Sequence, residues 1–307
     1  MKISHTGGII AAASKKVAKP FLQVGAIPII RRIVITYQQA GIFPIVIITG
    51  SDNDEIKQQL TSYGVIFLKN EQDEQPELFE SVKIGLSFLR GKCDRVVFTP
   101  VNVPMFTPTT LETLMQCEGS VVTPTYEGRG GHPVLISDDV IDQILAYQGD
   151  NGLRGAFEMC PDHRRINVDD KGIICSVYNE ADLQARLKEH NSAILHPVMH
   201  MQLEKETPFF NARLKLLLFL LHDTQNMRTS CAYSGIAYSK AWDMINTLER
   251  NLAFSVVERR RGGPDGGRTS LTERGTNFLL AYQHFEENMH HITQASFNEQ
   301  FISTKIL

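Results

Sequence analysis

Short β-rich runs recur through the first third of the chain: GIIAA at 8–12, IVIIT at 45–49, VIFL at 65–68 and RVVFT at 95–99. Between them apolar residues return at helical spacing, predicting helices over 27–40, 54–63 and 77–89. Strands that are apolar on both faces need cover on both sides. Alternation with helices therefore predicts a buried, mainly parallel sheet in a three-layer α/β domain. Such sheets bind ligands beyond the carboxyl ends of their strands. That singles out the loop after the first run, AAASKKVAKPF at 11–21.

Past about residue 190 the pattern changes. ILHPVMHMQLE at 194–204 alternates as a strand does, and NARLKLLLFLLH at 211–222 predicts an apolar core helix that also has leucine to spare for a dimer contact. A short helix over 227–233, a turn at Ser234-Gly235 and a second helix opening near Tyr238 follow. In that second helix Ala241, Ile245 and Leu248 fall at i, i+4 and i+7, with Trp242 and Leu252 extending the apolar stripe toward a core. Tyr238, Ser239, Lys240 and Asp243 remain on the polar surface, at the end a recognition helix presents to a major groove. FSVVE at 254–258 predicts a strand, RRRGGPDGGR at 259–268 a flexible basic loop, and TSL at 269–271 a return strand. A helix opens at Thr272, and the residues from 291 onward read as a frayed tail. Two helices about a glycine turn, followed by a hairpin with a basic tip, make a winged helix-turn-helix. Arg259, Arg260, Arg261 and Arg268 on that tip are candidates to track phosphates.

Composition narrows the class of partner. The chain has 307 residues, enough for two domains, with 42% hydrophobic and 21% charged residues, as in a globular protein with a full core. A formal charge of −3 excludes a nucleic-acid coat protein, so any attraction for DNA has to be local to the wing. The five cysteines are dispersed without a Cys-x-x-Cys pair, which favours reduced, mostly buried thiols over disulfides or zinc. No run is long enough to span a bilayer and the start lacks a signal-peptide core, so a cytoplasmic location is expected.

Both halves of the chain resemble known families. SKAW at 239–242, VER at 257–259, the glycine pairs at 262–263 and 266–267, and LTERG at 271–275 together resemble the DNA-binding domain of molybdate-responsive repressors of the ModE type. IAA at 10–12, KP at 19–20, ESVKIGL at 80–86, NVP at 102–104 and GHPVL at 131–135 resemble MobA-like nucleotidyltransferases, with the molybdopterin cytidylyltransferases as the nearest branch. The resemblances imply a Rossmann-like, GT-A-like nucleotidyltransferase domain over 1–190, a linker over 191–207, a winged helix-turn-helix domain over 208–290 and a tail over 291–307. The likeness to the transferases implies a triphosphate cradle at Ala12, Ala13, Ser14, Lys15, Lys16 and Lys19 and a substrate cleft at Gly131 and His132. It also implies Mg²⁺ with CTP or GTP if the site is active. The likeness to the repressors implies DNA as partner and a homodimer on a two-fold site.

The transferase pattern is depleted where its chemistry lies. The phosphate loop's first glycine is Ala13, its Met-Gly is Val17-Ala18, and the lysine after the proline is Phe21. The metal-holding aspartate corresponds to Asn102, and the later acidic ligand aligns with Ser176 or Tyr178, leaving Asp170 or Asp182 as substitutes. An amide lacks the anionic oxygen that Mg²⁺ prefers. No residue is thus singled out as catalytic and no metal site is expected. Three functions follow: a DNA-binding regulator that senses a nucleotide or pterin through a degenerate transferase domain, an active cytidylyl- or guanylyltransferase with a fused DNA-binding domain, and, more weakly, an assembly factor whose wing contacts protein.

Overall fold

The computed structural model describes residues 3–13, 20–50, 53–71, 77–177, 180–199, 201–260 and 268–304. It divides into two compact units, Met1–Ile56 with Ile66–Leu195, and Lys57–Val65 with His196–Leu307. From the N-terminus the elements run β1 (Ile3–Ala11), β2 (Gln23–Val24), β3 (Ile27–Pro28), α1 (Ile29–Gln39), β4 (Ile45–Thr49), α2 (Asn53–Leu60), β5 (Ile66–Lys69), α3 (Leu78–Leu89) and β6 (Cys93–Pro100). They continue with α4 (Pro108–Gln116), β7 (Val121–Tyr126), β8 (Arg129–Gly130), β9 (Val134–Ser137), α5 (Ile141–Ala146), α6 (Gly152–Glu158), β10 (His163–Asn167) and α7 (Glu180–Ala193).

The sheet has the order β10-β7-β9-β6-β1-β4-β5, with β8 paired to β7. β1 pairs in parallel with β4 and β6, β4 with β5, and β7 with β10; β9 runs antiparallel between β6 and β7. Successive strand residues point to opposite faces, and β1 shows what covers each. Gly8 lies under Tyr37 of α1, where an added Cβ would sit 2.7 Å from the ring. Ile9 meets Gly85 of α3, where a Cβ would sit 2.8 Å from the isoleucine. Both faces are therefore dry, and all five residues of β4 are buried, which is why the strands read as unbroken apolar runs. α1 buries Ile29, Ile30, Ile33, Val34 and Tyr37, and α3 buries Phe79, Val82, Leu86 and Leu89, each set at helical spacing.

The second unit contains β11 (Leu203–Glu204), β12 (Pro208–Phe210), α8 (Ala212–Thr224), α9 (Met227–Ser234), α10 (Tyr238–Leu252), β13 (Val257–Arg260), β14 (Arg268–Leu271) and α11 (Glu273–Phe297). α8 buries six leucines and Phe219, and Asn211 caps it by accepting from the Leu214 amide. Phe210 is buried between Phe278 and Tyr282, with ring centroids 4.9 and 4.6 Å away. Gly235, in the left-handed region with φ of 67°, ends α9 and turns the chain into α10.

Four boundaries differ from the sequence-based expectation. α7, a helix whose end the sequence sets near His190-Asn191, runs to Ala193, and His190 and Asn191 are both anchored on Arg32. The strand expected over 194–204 shrinks to Leu203–Glu204; Pro197 supplies no ladder donor, and the pairing with β12 is irregular. The strand predicted over 254–258 begins only at Val257, and Arg259, Arg260 and Arg268 lie on the paired strands instead of the loop, opposite Thr269, Arg268 and Arg260 respectively. The frayed tail is instead the continuation of α11, which runs to Phe297 and then one π turn; no glycine or proline follows Gly275 to stop it.

Candidate functional site

Beyond the carboxyl ends of β1, β4 and β6 the chain packs backbone against backbone. The Ala12 amide donates to Ile48 O at 2.9 Å and the Val101 amide to Ala11 O at 3.0 Å. Gly50 comes so close that a Cβ there would lie 2.6 Å from the Ala13 carbonyl oxygen. Ala12 and Ala13 are both buried at this edge. Ser14, Lys15, Lys16 and Lys19, the other residues of the candidate cradle, lie outside the described residues.

Three segments border the same end of the sheet: 101–107, 131–132 and 170–177. Asp170 ties the first to the third. Its carboxylate accepts from the Thr107 amide (2.9 Å), the Thr110 hydroxyl (2.7 Å), the Thr107 hydroxyl (3.2 Å) and the Gly172 amide (2.8 Å). With both oxygens so engaged and the residue buried, Asp170 holds Thr107, the N-cap of α4, and caps its own turn. Gly172 passes so close to Met105 O that a Cβ could not be placed, and the Val177 amide donates to Asn102 O at 2.9 Å.

Asn102 sits against the loop that the resemblance paired with it. Its amide nitrogen donates to the Ser176 hydroxyl at 3.5 Å, while its carbonyl oxygen is buried without a hydrogen-bond partner. Tyr178 and the side chain of Asp182 lie outside the described residues. Gly131 and His132 reach the same loop: the His132 amide donates to Ile173 O at 2.9 Å, and Gly131 leaves no room for a Cβ beside Ile173 O. The imidazole packs edge-on against Phe98, with centroids 5.3 Å apart, and its Nδ1 is buried without a partner. Burial holds the ring neutral, lowering its pKa to about 4 against a smaller opposing effect of a hydrogen bond to the Phe98 backbone.

A second buried polar group was not singled out by the sequence. Arg32 is 1% exposed with no carboxylate partner among the described residues; its guanidinium donates to Val24 O, to Asn191 Oδ1 (2.8 Å) and to His190 Nδ1 (3.2 Å). His190 passes the chain on to Phe106 O at 3.1 Å, and burial, with the Arg32 charge second, lowers its pKa to about 4. This network fastens the β2–β3 hairpin and α7 to the 101–107 segment. The only hint in the sequence is an arginine among the apolar residues of α1.

In the second unit Tyr238, Ser239, Lys240 and Asp243 are all exposed along the first turns of α10. Ala237 precedes that helix and makes no side-chain cap hydrogen bond to its first amides. Ala241, Ile245 and Leu248 are buried as their spacing requires, but Trp242 is not part of the core. It lies half-buried at the surface, with the Arg259 guanidinium 3.8 Å above its ring and Tyr238 edge-on at 6.2 Å. Arg228 of α9 stands 5.7 Å from the Tyr238 ring, and Arg259 also donates to Asn246 Oδ1 at 3.4 Å. Arg268 is exposed; Arg260 is placed by its backbone alone, and Arg261 lies outside the described residues.

The family model of the MobA-like NTP transferase domain matches residues 13–166, half of the chain. The chain belongs to the MobA-like NTP transferase family. Among solved structures, a nucleotidyl transferase from Methanothermobacter thermautotroptrophicus aligns with a TM-score of 0.51 at 16% identity, covering 61% of this chain and 98% of that one. A 4-diphosphocytidyl-2C-methyl-D-erythritol synthase from Anaerococcus prevotii aligns with a TM-score of 0.50 at 14% identity, covering 60% and 96%. At such identities the likeness is one of fold. The transcriptional regulator ModE of Yersinia pestis is 32% identical over 74 residues. That stretch is 24% of this chain and 28% of the regulator, so the chain spans less than a third of the curated relative.

The MobA-like fold raises the question of a divalent metal. At the position that the family resemblance assigns to the metal aspartate stands Asn102, hydrogen-bonded to Ser176, which with Tyr178 is one of the two residues aligned with the later acidic ligand. Among the described residues no three His, Cys, Asp or Glu side chains are grouped so as to hold a metal ion. A hard cation takes anionic oxygens by preference, and this donor set does not fit one. No helix among the described residues is long and apolar enough to cross a membrane.

Proposed function

We propose that the chain is a DNA-binding transcriptional regulator in which the MobA-like domain senses a nucleotide or pterin and a winged helix-turn-helix domain holds DNA. The observation that carries it is the contrast between the two ends. Neutral Asn102, at the position the resemblance gives to the metal aspartate, is hydrogen-bonded to Ser176, whereas the start of α10, without a side-chain cap, presents Tyr238, Ser239 and Lys240 beside a hairpin bearing Arg259 and Arg268. Uncapped amides at a helix N-terminus favour a phosphate, and the adjacent arginines add charge-assisted contacts to the backbone. The order α8, α9, glycine turn, α10, hairpin, α11 supports the winged assignment over 208–290. The short likeness to a transcriptional regulator supports the regulatory role, and the resemblance of both halves to molybdenum-linked families points to molybdenum cofactor metabolism in the cytoplasm as its setting.

Exposed Phe285 and Ile292, seven residues apart on α11, support a homodimer that would set two recognition helices on a two-fold site. Gel shifts with genomic fragments test the proposal, which predicts a retarded complex that weakens as salt rises. Family membership favours a second reading, an active molybdenum cofactor cytidylyl- or guanylyltransferase. That reading requires pyrophosphate release from CTP or GTP with Mg²⁺ and a pterin acceptor, and a faster rate in Asn102→Asp.

A further inference from the structure

Two buried polar atoms border one loop without a hydrogen-bond partner among the described residues. The Asn102 carbonyl oxygen is buried without a partner while its amide nitrogen is committed to Ser176, and its backbone carbonyl to the Val177 amide. His132 is fixed to the same loop through its amide and Ile173 O, and its Nδ1 is likewise buried without a partner. A neutral imidazole has one donor and one acceptor nitrogen. In the tautomer that carries its proton on Nε2, the bare Nδ1 is the acceptor. Unpaired buried polar atoms are rare, because each forgoes its hydrogen bonds to water. Two of them at the carboxyl edge of a parallel sheet, where ligands of such sheets sit, mark a place for donors arriving from outside the chain.

We propose that this edge recognises a neutral, donor-bearing fragment, the hydroxyls of a ribose or the amino and ring N–H groups of a base or pterin, without a divalent metal. The proposal rests on the ligand-sensing reading and names its chemistry. A triphosphate chelating Mg²⁺ presents acceptors and a cation to its site, which matches carboxylates and basic groups. Asn102 and His132 offer the reverse, neutral polar atoms that pair with N–H and O–H. The sensing step would then survive the loss of the metal carboxylates, because it never depended on them.

The test is a thermal melt of the full chain with cytidine, guanosine, neopterin, CTP and GTP, each in EDTA and in Mg²⁺. At ten times its Kd a ligand bound only by the folded state raises the melting temperature by about 3 °C or more. The expected result is such a rise with at least one metal-free nucleoside or pterin, equal in EDTA and Mg²⁺. The rise is to disappear in Asn102→Leu and in His132→Phe, which keeps a ring against Phe98, while both variants still melt cooperatively. If either variant fails to fold, Asn102→Asp serves instead, and the expected result is a ligand response that becomes Mg²⁺-sensitive. Where cytidine is the ligand, 2′,3′-dideoxycytidine separates the sources: a lost rise assigns the donors to the ribose, a retained one to the base. A rise seen only with CTP or GTP in Mg²⁺ overturns the inference and leaves ligand sensing standing. No rise with any of the five overturns both.

Discussion

Asp170 concentrates four hydrogen bonds from three different residues on one buried carboxylate, so its removal strands donors as well as losing an acceptor. Asp170→Ala is expected to lower stability by roughly 2–4 kcal/mol, as read from chemical denaturation, the range for losing charged, buried hydrogen bonds. His132 and His190 act on stability through pH. Both are held neutral in the folded chain down to about pH 4, whereas an unfolded histidine takes up a proton near 6.5. In between, the unfolded state binds more protons, so stability falls as pH drops through that window and is fully present above it. Melting temperatures across pH 4 to 7 check this, and His190→Gln, which can still span Arg32 and Phe106, is expected to flatten the slope. At this scale the sequence was least legible. Asp170 could be placed in a turn, but its partners lie 60 and 63 residues away, and Arg32 is paired 158 and 159 residues away across the sheet. No local pattern encodes such separations.

Elements were legible because their cause is local. A five-residue apolar run with both faces covered becomes β4, and apolar spacing along α10 becomes its buried stripe. What local pattern missed is which aromatic the core leaves out. Trp242 continues the stripe in sequence, yet it serves as the platform on which Arg259 rests. Trp242→Ala is therefore expected to leave the fold intact and weaken DNA binding about 2- to 5-fold, the scale of an exposed cation–π contact, measured by fluorescence anisotropy. Gly275 has the opposite character. A Cβ there would fall 2.2 Å from the Val256 carbonyl oxygen, which already accepts from the Thr272 amide. Gly275→Ala is expected to cost about 2 kcal/mol or more in a denaturant melt, since neither backbone can yield. On α11, the double change Phe285→Glu with Ile292→Glu adds charge where the dimer proposal needs apolar surface. It is expected to give a folded monomer in analytical ultracentrifugation where the parent is a dimer.

Across the molecule, one chain carries both a MobA-like sheet whose carboxyl edge bears neutral Asn102, Ser176 and His132 and a helix-and-hairpin surface that bears cations. The overall charge of −3 makes that local concentration the part that matters for a polyanion. The resemblance to the transferases set Asn102 at the metal-aspartate position from the sequence. That Asn102 and Ser176 stand together, 74 residues apart in the chain, took the fold to show. The proposed regulator is tested most directly by the salt dependence of DNA binding, comparing the full chain with an Arg259→Ala, Arg260→Ala, Arg268→Ala variant. A DNA-holding wing predicts an affinity that falls steeply with salt. In the variant it predicts a weaker affinity with a shallower slope, by about 0.9 for each phosphate no longer neutralised. No salt-dependent binding by the parent chain, or an identical slope in the variant, would contradict it.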